Sequence, residues 1–121
     1  STTAAKATID YLLDKDLQAN AAKRGAQLAD GLRGISDEFP ELGDVRGKGL
    51  MLAAEIVKPE DNTPDAAATT NLQQETKNRG LLVGKGGLYG NVLRMAPPMT
   101  LTEEEAAEAI EIIRDSFGTL R

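Results

Sequence analysis

The chain has 121 residues, a net charge of −5 and a pI near 4.7, and 40% of it is hydrophobic but only 3% aromatic. This describes one domain with a core of Ala, Leu, Ile, Val and Met, and the acidic balance argues against nucleic acid or an anionic membrane surface as partner. Neither Cys nor His occurs, which removes disulfides, thiolate nucleophiles, Cys/His metal sites and imidazole acid–base chemistry together.

The N-terminus, Ser-Thr-Thr-Ala-Ala-Lys-Ala, lacks an apolar signal core and an initiator Met. It reads as a cut into the middle of a helix, so a fragment of a longer protein is expected. No apolar run approaches the ~20 residues of a membrane span, and a cytoplasmic location is the expectation.

Residues 3–14 have helical spacing, with Ile9, Leu12 and Leu13 as an apolar stripe. Asp16 is suited to N-cap a second helix, in which Leu28, Leu32, Ile35 and Phe39 recur on one face. Gly25, Gly31 and Gly34 each cost roughly 1 kcal/mol there relative to Ala, so tertiary packing must hold that helix. Pro40 ends it. Asp44–Val57 reads as β structure bent around Arg46-Gly47-Lys48-Gly49, and the nearly apolar run from Leu50 predicts a strand covered on both sides or along most of its length. Arg46 and Lys48 suit either an anion-binding nest or the decoration of a turn. Thr63 and Pro64 suit the cap and first position of a helix over residues 64–79, whose clear inner stripe is only Ala68 and Leu72. Gly80 fits the C′ position.

The stretch Leu82–Pro98 organises the rest. A short strand over 80–83 is expected to enter a loop carrying Gly84, Gly86, Gly87 and Gly90, and a second strand over 92–96 leaves it before Pro97 and Pro98. The loop lacks phosphate-cradle spacing and reads as a flexible hairpin or the edge of an active site. Alternation puts Leu93 and Met95 on one strand face and Val92, Arg94 and Ala96 on the other. Arg94 beside a glycine-rich loop needs an anionic partner or water, and its planar fork suits a carboxylate. A structural salt bridge or a solvated arginine fits the spacing as well.

Thr102 and Glu105 have capping-box spacing before a last helix whose buried face is Ala106, Ile110, Ile113 and Phe117. The run Glu103-Glu104-Glu105 is accounted for by the helix first turn without a metal. The fold class is therefore α+β, with helices packed on a small, mainly antiparallel sheet.

The segment Asp44-Val45-Arg46-Gly47-Lys48-Gly49-Leu50-Met51 with Glu55 resembles the DVRG-x-GLM-x-x-x-E segment of class III aminotransferases. Arg79-Gly80-Leu81-Leu82, then Val92-Leu93-Arg94-Met95-Ala96-Pro97-Pro98, then Thr102-x-x-Glu105 are similar to the closing half of the same family. Lys85–Asn91 is most similar to the alanine–glyoxylate branch, with the 4-aminobutyrate and ornithine branches near. The resemblance implies the small C-terminal domain (16–121, preceded by an inter-domain helix remnant over 1–15) of a fold-type I, pyridoxal-phosphate-dependent homodimer. Such an enzyme moves an amino group from an amino acid to a 2-oxo acid. It also implies that the Schiff-base lysine and the cofactor site belong to a large domain and second subunit outside this chain, so that no catalytic, cofactor-binding or metal-binding residue is expected here. The resemblance further implies that Arg94 is the arginine that pairs with the substrate carboxylate, or with a glutamate of the large domain when the substrate changes. The alternative is a free-standing α+β module that binds a small carboxylate or a protein partner.

Overall fold

The computed structural model describes all of residues 1–121. Helices α1 (Thr2–Asp14) and α2 (Leu17–Glu38) lead into the hairpin β1 (Leu42–Lys48) and β2 (Met51–Ile56). Helix α3 (Ala66–Asn78), the hairpin β3 (Gly84–Gly86) and β4 (Val92–Met95), and helix α4 (Glu103–Gly118) follow. The strands form one antiparallel sheet in the order β1-β2-β4-β3. Leu28, Leu32 and Ile35 of α2, Leu72 of α3 and Ile113 and Phe117 of α4 share a single core with Leu52, Ala54, Ile56 and Leu93 of the sheet. The helices thus cover one face of the sheet and leave the other open, the α+β arrangement expected.

The run from Leu50 is not doubly covered. Leu52, Ala54 and Ile56 are buried, whereas Met51 is 75% exposed and Ala53 and Glu55 are only half-buried. Met51 and Ala53 are apolar without being inward, so a period of two hid inside a continuous apolar stretch. Leu50 is buried too, but in the Gly49-Leu50 turn that joins Lys48 to Met51.

Two of the three α2 glycines have a packing reason. A Cβ on Gly25 would overlap the carbonyl of Gly49 in that turn, and one on Gly31 would stand 2.7 Å from Ile110 of α4. Gly34 faces only the Arg114 guanidinium, 3.9 Å from where its Cβ would be.

Several caps differ from expectation. Asp16 occupies the N-cap position of α2 with φ 50° and ψ 49°, and its side chain makes no capping bond; the left-handed backbone aims it away from the free N–H groups. Thr63 is occupied by Asp61, whose carboxyl accepts from both the Thr63 hydroxyl (2.8 Å) and N–H (3.1 Å) and is held below its usual range by them. Pro64 bridges to Val57, and the cap of α3 is Asp65, accepting from the Ala68 N–H at 3.0 Å. The thin stripe of α3 is completed by two threonines: Thr69 and Thr76 are buried beside Leu72. Their hydroxyls are satisfied within the helix, donating to Asp65 O and Gln73 O. Gly80 takes its C′ place at φ 92°, and the N–H groups of Gly80 and Leu81 close on Lys77 O and Thr76 O in a Schellman motif.

Leu81–Val83 follows that motif outside the ladder, so the strand expected there forms three residues later, within the glycine segment itself. Helix α1 buries none of its residues, and Ile9, Tyr11 and Leu13 are each more than half exposed. The capping box of α4 is complete, with Glu105 Oε1 accepting from Thr102 N–H at 3.0 Å and Thr102 Oγ1 from Glu105 N–H at 3.1 Å.

Gly25→Ala should therefore lower stability, by about 1–3 kcal/mol, because backbone atoms on both sides must shift. Gly34→Ala should raise it by about 0.5–1 kcal/mol, the ordinary gain of Ala in a helix. Urea melts of the two variants measure both signs. The bonds from Thr102 hold the Glu105 carboxyl below its usual range, the backbone N–H contributing most. A depressed carboxyl stabilises the fold above its unfolded pKa and loses that stabilisation as pH falls through the lower folded value. Glu105→Ala should thus lower Tm at neutral pH, and thermal melts should show the difference narrowing as pH falls below the ordinary Glu value of about 4.3.

Candidate functional site

Strand β4 lies between β2 and β3, so its alternation decides what reaches the open face. Leu93 and Met95 pair with Ala54 and Leu52 and turn toward the core; Arg94 pairs with Ala53 on one side and Gly84 on the other. Beyond Ala53 in the same row stands Arg46. Both guanidinium groups are exposed.

Their electrostatic settings differ. Arg46 Nη1 donates to Asp44 Oδ2 at 2.8 Å and to Glu55 Oε2 at 3.0 Å. The two carboxylates, the Asp44 hydrogen bond first, hold it even more firmly protonated than usual. Arg46 is committed within the chain, so the Arg46–Lys48 segment decorates a hairpin and forms no anion nest. Arg33, Arg79, Arg114 and Arg121 are likewise paired, with Asp30, Glu75, Glu38 and Glu41. Arg24 donates to the side-chain oxygen of Gln27. Arg94 has only the Lys85 carbonyl, at 3.5 Å. It is the exposed arginine for which the chain supplies no side-chain partner.

The glycine loop next to it is anchored. Asn91, 2% exposed, donates from Nδ2 to Ile56 O at 2.9 Å, while its own carbonyl accepts from Ile56 N–H at 2.8 Å. Lys85 Nζ donates to Thr70 Oγ1 of α3 at 2.6 Å. Gly87 and Gly90 turn the chain at φ 86° and 63°. Gly87 crosses close over Val92, where a Cβ would come within 2.7 Å of Cγ2, and so buries a valine on the otherwise open face. Leu88 and Tyr89 project from the tip, 89% and 66% exposed. Past β4, Pro97 and Pro98 lead to a connection that Asn20 Nδ2 holds through Met99 O (2.7 Å) and Leu101 O (2.9 Å). Arg94 borders an open groove of about 800 Å³ between the Gly80–Gly84 segment, the two prolines and the Glu105–Glu108 side of α4.

The sequence reading found Arg94, its strand face and the loop beside it. It missed the two anchors. Asn91 and Lys85 enter the sequence reading only as the ends of a stretch similar to one branch of the family; the only available signal for an anchor was an Asn directly before a strand. No group of three or more Asp or Glu side chains gathers in metal-binding geometry, and no helix is long and apolar enough to cross a membrane.

Against this geometry the likenesses to known proteins are consistent. The family described as Aminotransferase class-III matches residues 1–117. The alanine–glyoxylate aminotransferase 2 homolog 2 of Arabidopsis thaliana, a mitochondrial protein, is 39% identical over 121 residues, 99% of this chain and 25% of its own length. A phospholyase from Arthrobacter, solved in complex with phosphoethanolamine, superposes with a TM-score of 0.91 at 29% identity over 95% of this chain and 28% of its own. An amine transaminase from an uncultivated Pseudomonas species, in its PLP-bound internal aldimine form, gives 0.85 at 34% identity over 96% and 26%. The chain thus spans about a quarter of the length of the curated relatives it matches. With a family match over nearly every residue and the same arrangement of helices and sheet in these structures, the chain belongs to the class-III aminotransferases.

Proposed function

We propose that the chain is the small C-terminal domain of a pyridoxal-phosphate-dependent aminotransferase that moves an amino group from an amino acid to a 2-oxo acid, and that Arg94 receives the substrate carboxylate. The observation that carries this reading is the isolation of Arg94 on the open sheet face. Every other exposed guanidinium near a carboxylate is already paired with it, while Arg94 stands on a rigid central strand with its fork unclaimed. A planar fork held on such a strand recognises a carboxylate in one orientation, through two parallel bonds.

Pyridoxal phosphate supplies the electron sink for amino-group transfer when it is bound to such an enzyme. The residues of this chain do not fit that group. A Schiff-base lysine needs a desolvated or otherwise tuned amine. Lys6, Lys15, Lys23, Lys48, Lys58 and Lys77 are exposed, and the half-buried Lys85 is engaged with Thr70. In this reading the large domain and a second subunit hold the cofactor, residues 1–15 join the two domains, and the domain formed by residues 16–121 brings Arg94 to the substrate.

In the full-length enzyme, Arg94→Lys keeps the charge and loses the fork. Steady-state kinetics should show kcat/KM for carboxylate substrates falling roughly ten- to a hundredfold, the effect of one charge-assisted bond of about 1.5–3 kcal/mol. The same change in the 121-residue chain should leave its melting curve nearly in place, since only the long, exposed bond to Lys85 O is lost. Unchanged kcat/KM, or a chain that unfolds, moves Arg94 from substrate binding to the scaffold. For the chain alone, titration with pyridoxal phosphate followed by absorbance should give no stoichiometric aldimine band; a single lysine that reacts stoichiometrically overturns the assignment of the cofactor to the missing part.

A further inference from the structure

Glycine at position 86 is not required by its own backbone. Gly47, Gly49, Gly80, Gly87 and Gly90 lie at positive φ, and Gly86 does not. It sits in β3 opposite Val92, where any residue could be accommodated by the ladder. What excludes a side chain is Arg94. A Cβ on Gly86 would stand 2.7 Å from Arg94 Nε, 2.8 Å from Cζ and 3.1 Å from Nη2. Three atoms of one planar group at nearly equal distances from a point describe a group lying flat above it. The guanidinium rests on the bare Cα of Gly86, and its one hydrogen bond within the chain, to Lys85 O, is long at 3.5 Å.

Gly84, two residues earlier in the same short strand, is the natural comparison. A Cβ there would meet only the Arg94 carbonyl oxygen at 3.5 Å and its Cβ at 3.7 Å, both ordinary contacts. The strand therefore tolerates a methyl group at 84, but at 86 a methyl takes the place of the guanidinium.

We propose that Gly86 is a positioning residue for Arg94: its missing side chain leaves a flat seat for the guanidinium and fixes the direction in which the fork is offered to a carboxylate. This rests on the reading of Arg94 given above and adds a second residue to it. The atoms displaced by a methyl at 86 are the far end of a flexible side chain, so the guanidinium moves and the fold does not. Replacing Gly by Ala where the backbone permits it also restricts the unfolded chain, which favours the folded state. Gly86→Ala should thus separate recognition from stability.

The first measurement uses the ¹⁵N-labelled 121-residue chain at mildly acidic pH, where arginine Nε–H groups exchange slowly. The Arg94 Nε–H resonance is identified by its loss in R94K. It should shift in G86A while the other arginine resonances stay, hold its position in G84A, and accompany a Tm no lower than that of the unmodified chain. The second uses the full-length enzyme. G86A should raise KM for carboxylate substrates roughly tenfold with kcat nearly unchanged, the pattern of lost ground-state and transition-state binding alike; G84A should leave KM alone. An Arg94 resonance unmoved in G86A, a G86A chain that melts well below the unmodified one, or a G86A enzyme with normal KM beside an impaired R94K each overturns the role given to Gly86. A normal kcat/KM in R94K overturns the carboxylate reading itself, and the binding role of Gly86 with it.

Discussion

Helix α2 meets the β1–β2 turn backbone to backbone, Gly25 against the carbonyl of Gly49, and that approach sets the spacing between the helix layer and the sheet. With no side chain between them, Leu28, Leu32 and Ile35 reach the sheet closely enough to be almost fully buried. Gly31 repeats the device toward α4, which presses Ile110 into the gap. Glycines that weaken the isolated helix by roughly 1 kcal/mol each are here what allows the interior to reach native packing density. A core poor in aromatic residues depends on this: Phe39 and Phe117, with ring centroids 5.7 Å apart, are its only rings, and the remaining volume is filled by branched aliphatic side chains meeting at short range.

The packing has an electrostatic counterpart on the far side of the sheet. Exposed ion pairs contribute about 0–1 kcal/mol, so the contacts of Arg46 with Asp44 and Glu55 add little to stability. Their effect is to use up the carboxylates of the open face. Glu55 pairs with Val92, two residues from Arg94 along β4, and with Asp44 of β1, and both carboxylates are bound to Arg46. An arginine that would otherwise collapse onto a neighbouring acid is kept available by giving each neighbouring acid another partner.

Much of this was legible beforehand for physical reasons that also explain the failures. The face Leu28–Leu32–Ile35–Phe39, the Thr102–Glu105 box and the Gly80 stop are local, and local rules predicted them. Alternation within 92–95 placed Arg94 correctly because a strand has only two faces. The doubly covered strand failed because Met51 and Ala53 are apolar by composition but outward by position. The inner face of α3 was invisible because Thr69 and Thr76 satisfy their hydroxyls inside the helix and so behave as core residues. Asp16 holds the N-cap position expected of it but makes no capping bond, and Thr63 gives way to Asp65, since a cap depends on where the preceding backbone aims the side chain, which residue type does not reveal. The anchors Asn91 and Lys85, and the seat at Gly86, are contacts across long stretches of chain.

The sheet ends are as informative as its middle. On one side β1 carries a register shift between Leu42 and Asp44 and then Asp44, Arg46 and Lys48; on the other β3 is three residues long and includes Lys85. A bulge, a dense run of charge and a very short border strand each discourage a second sheet from adding to the ladder. With one sheet face left free of helices, the fold is thereby shielded at both rims from continuing edge to edge into a filament.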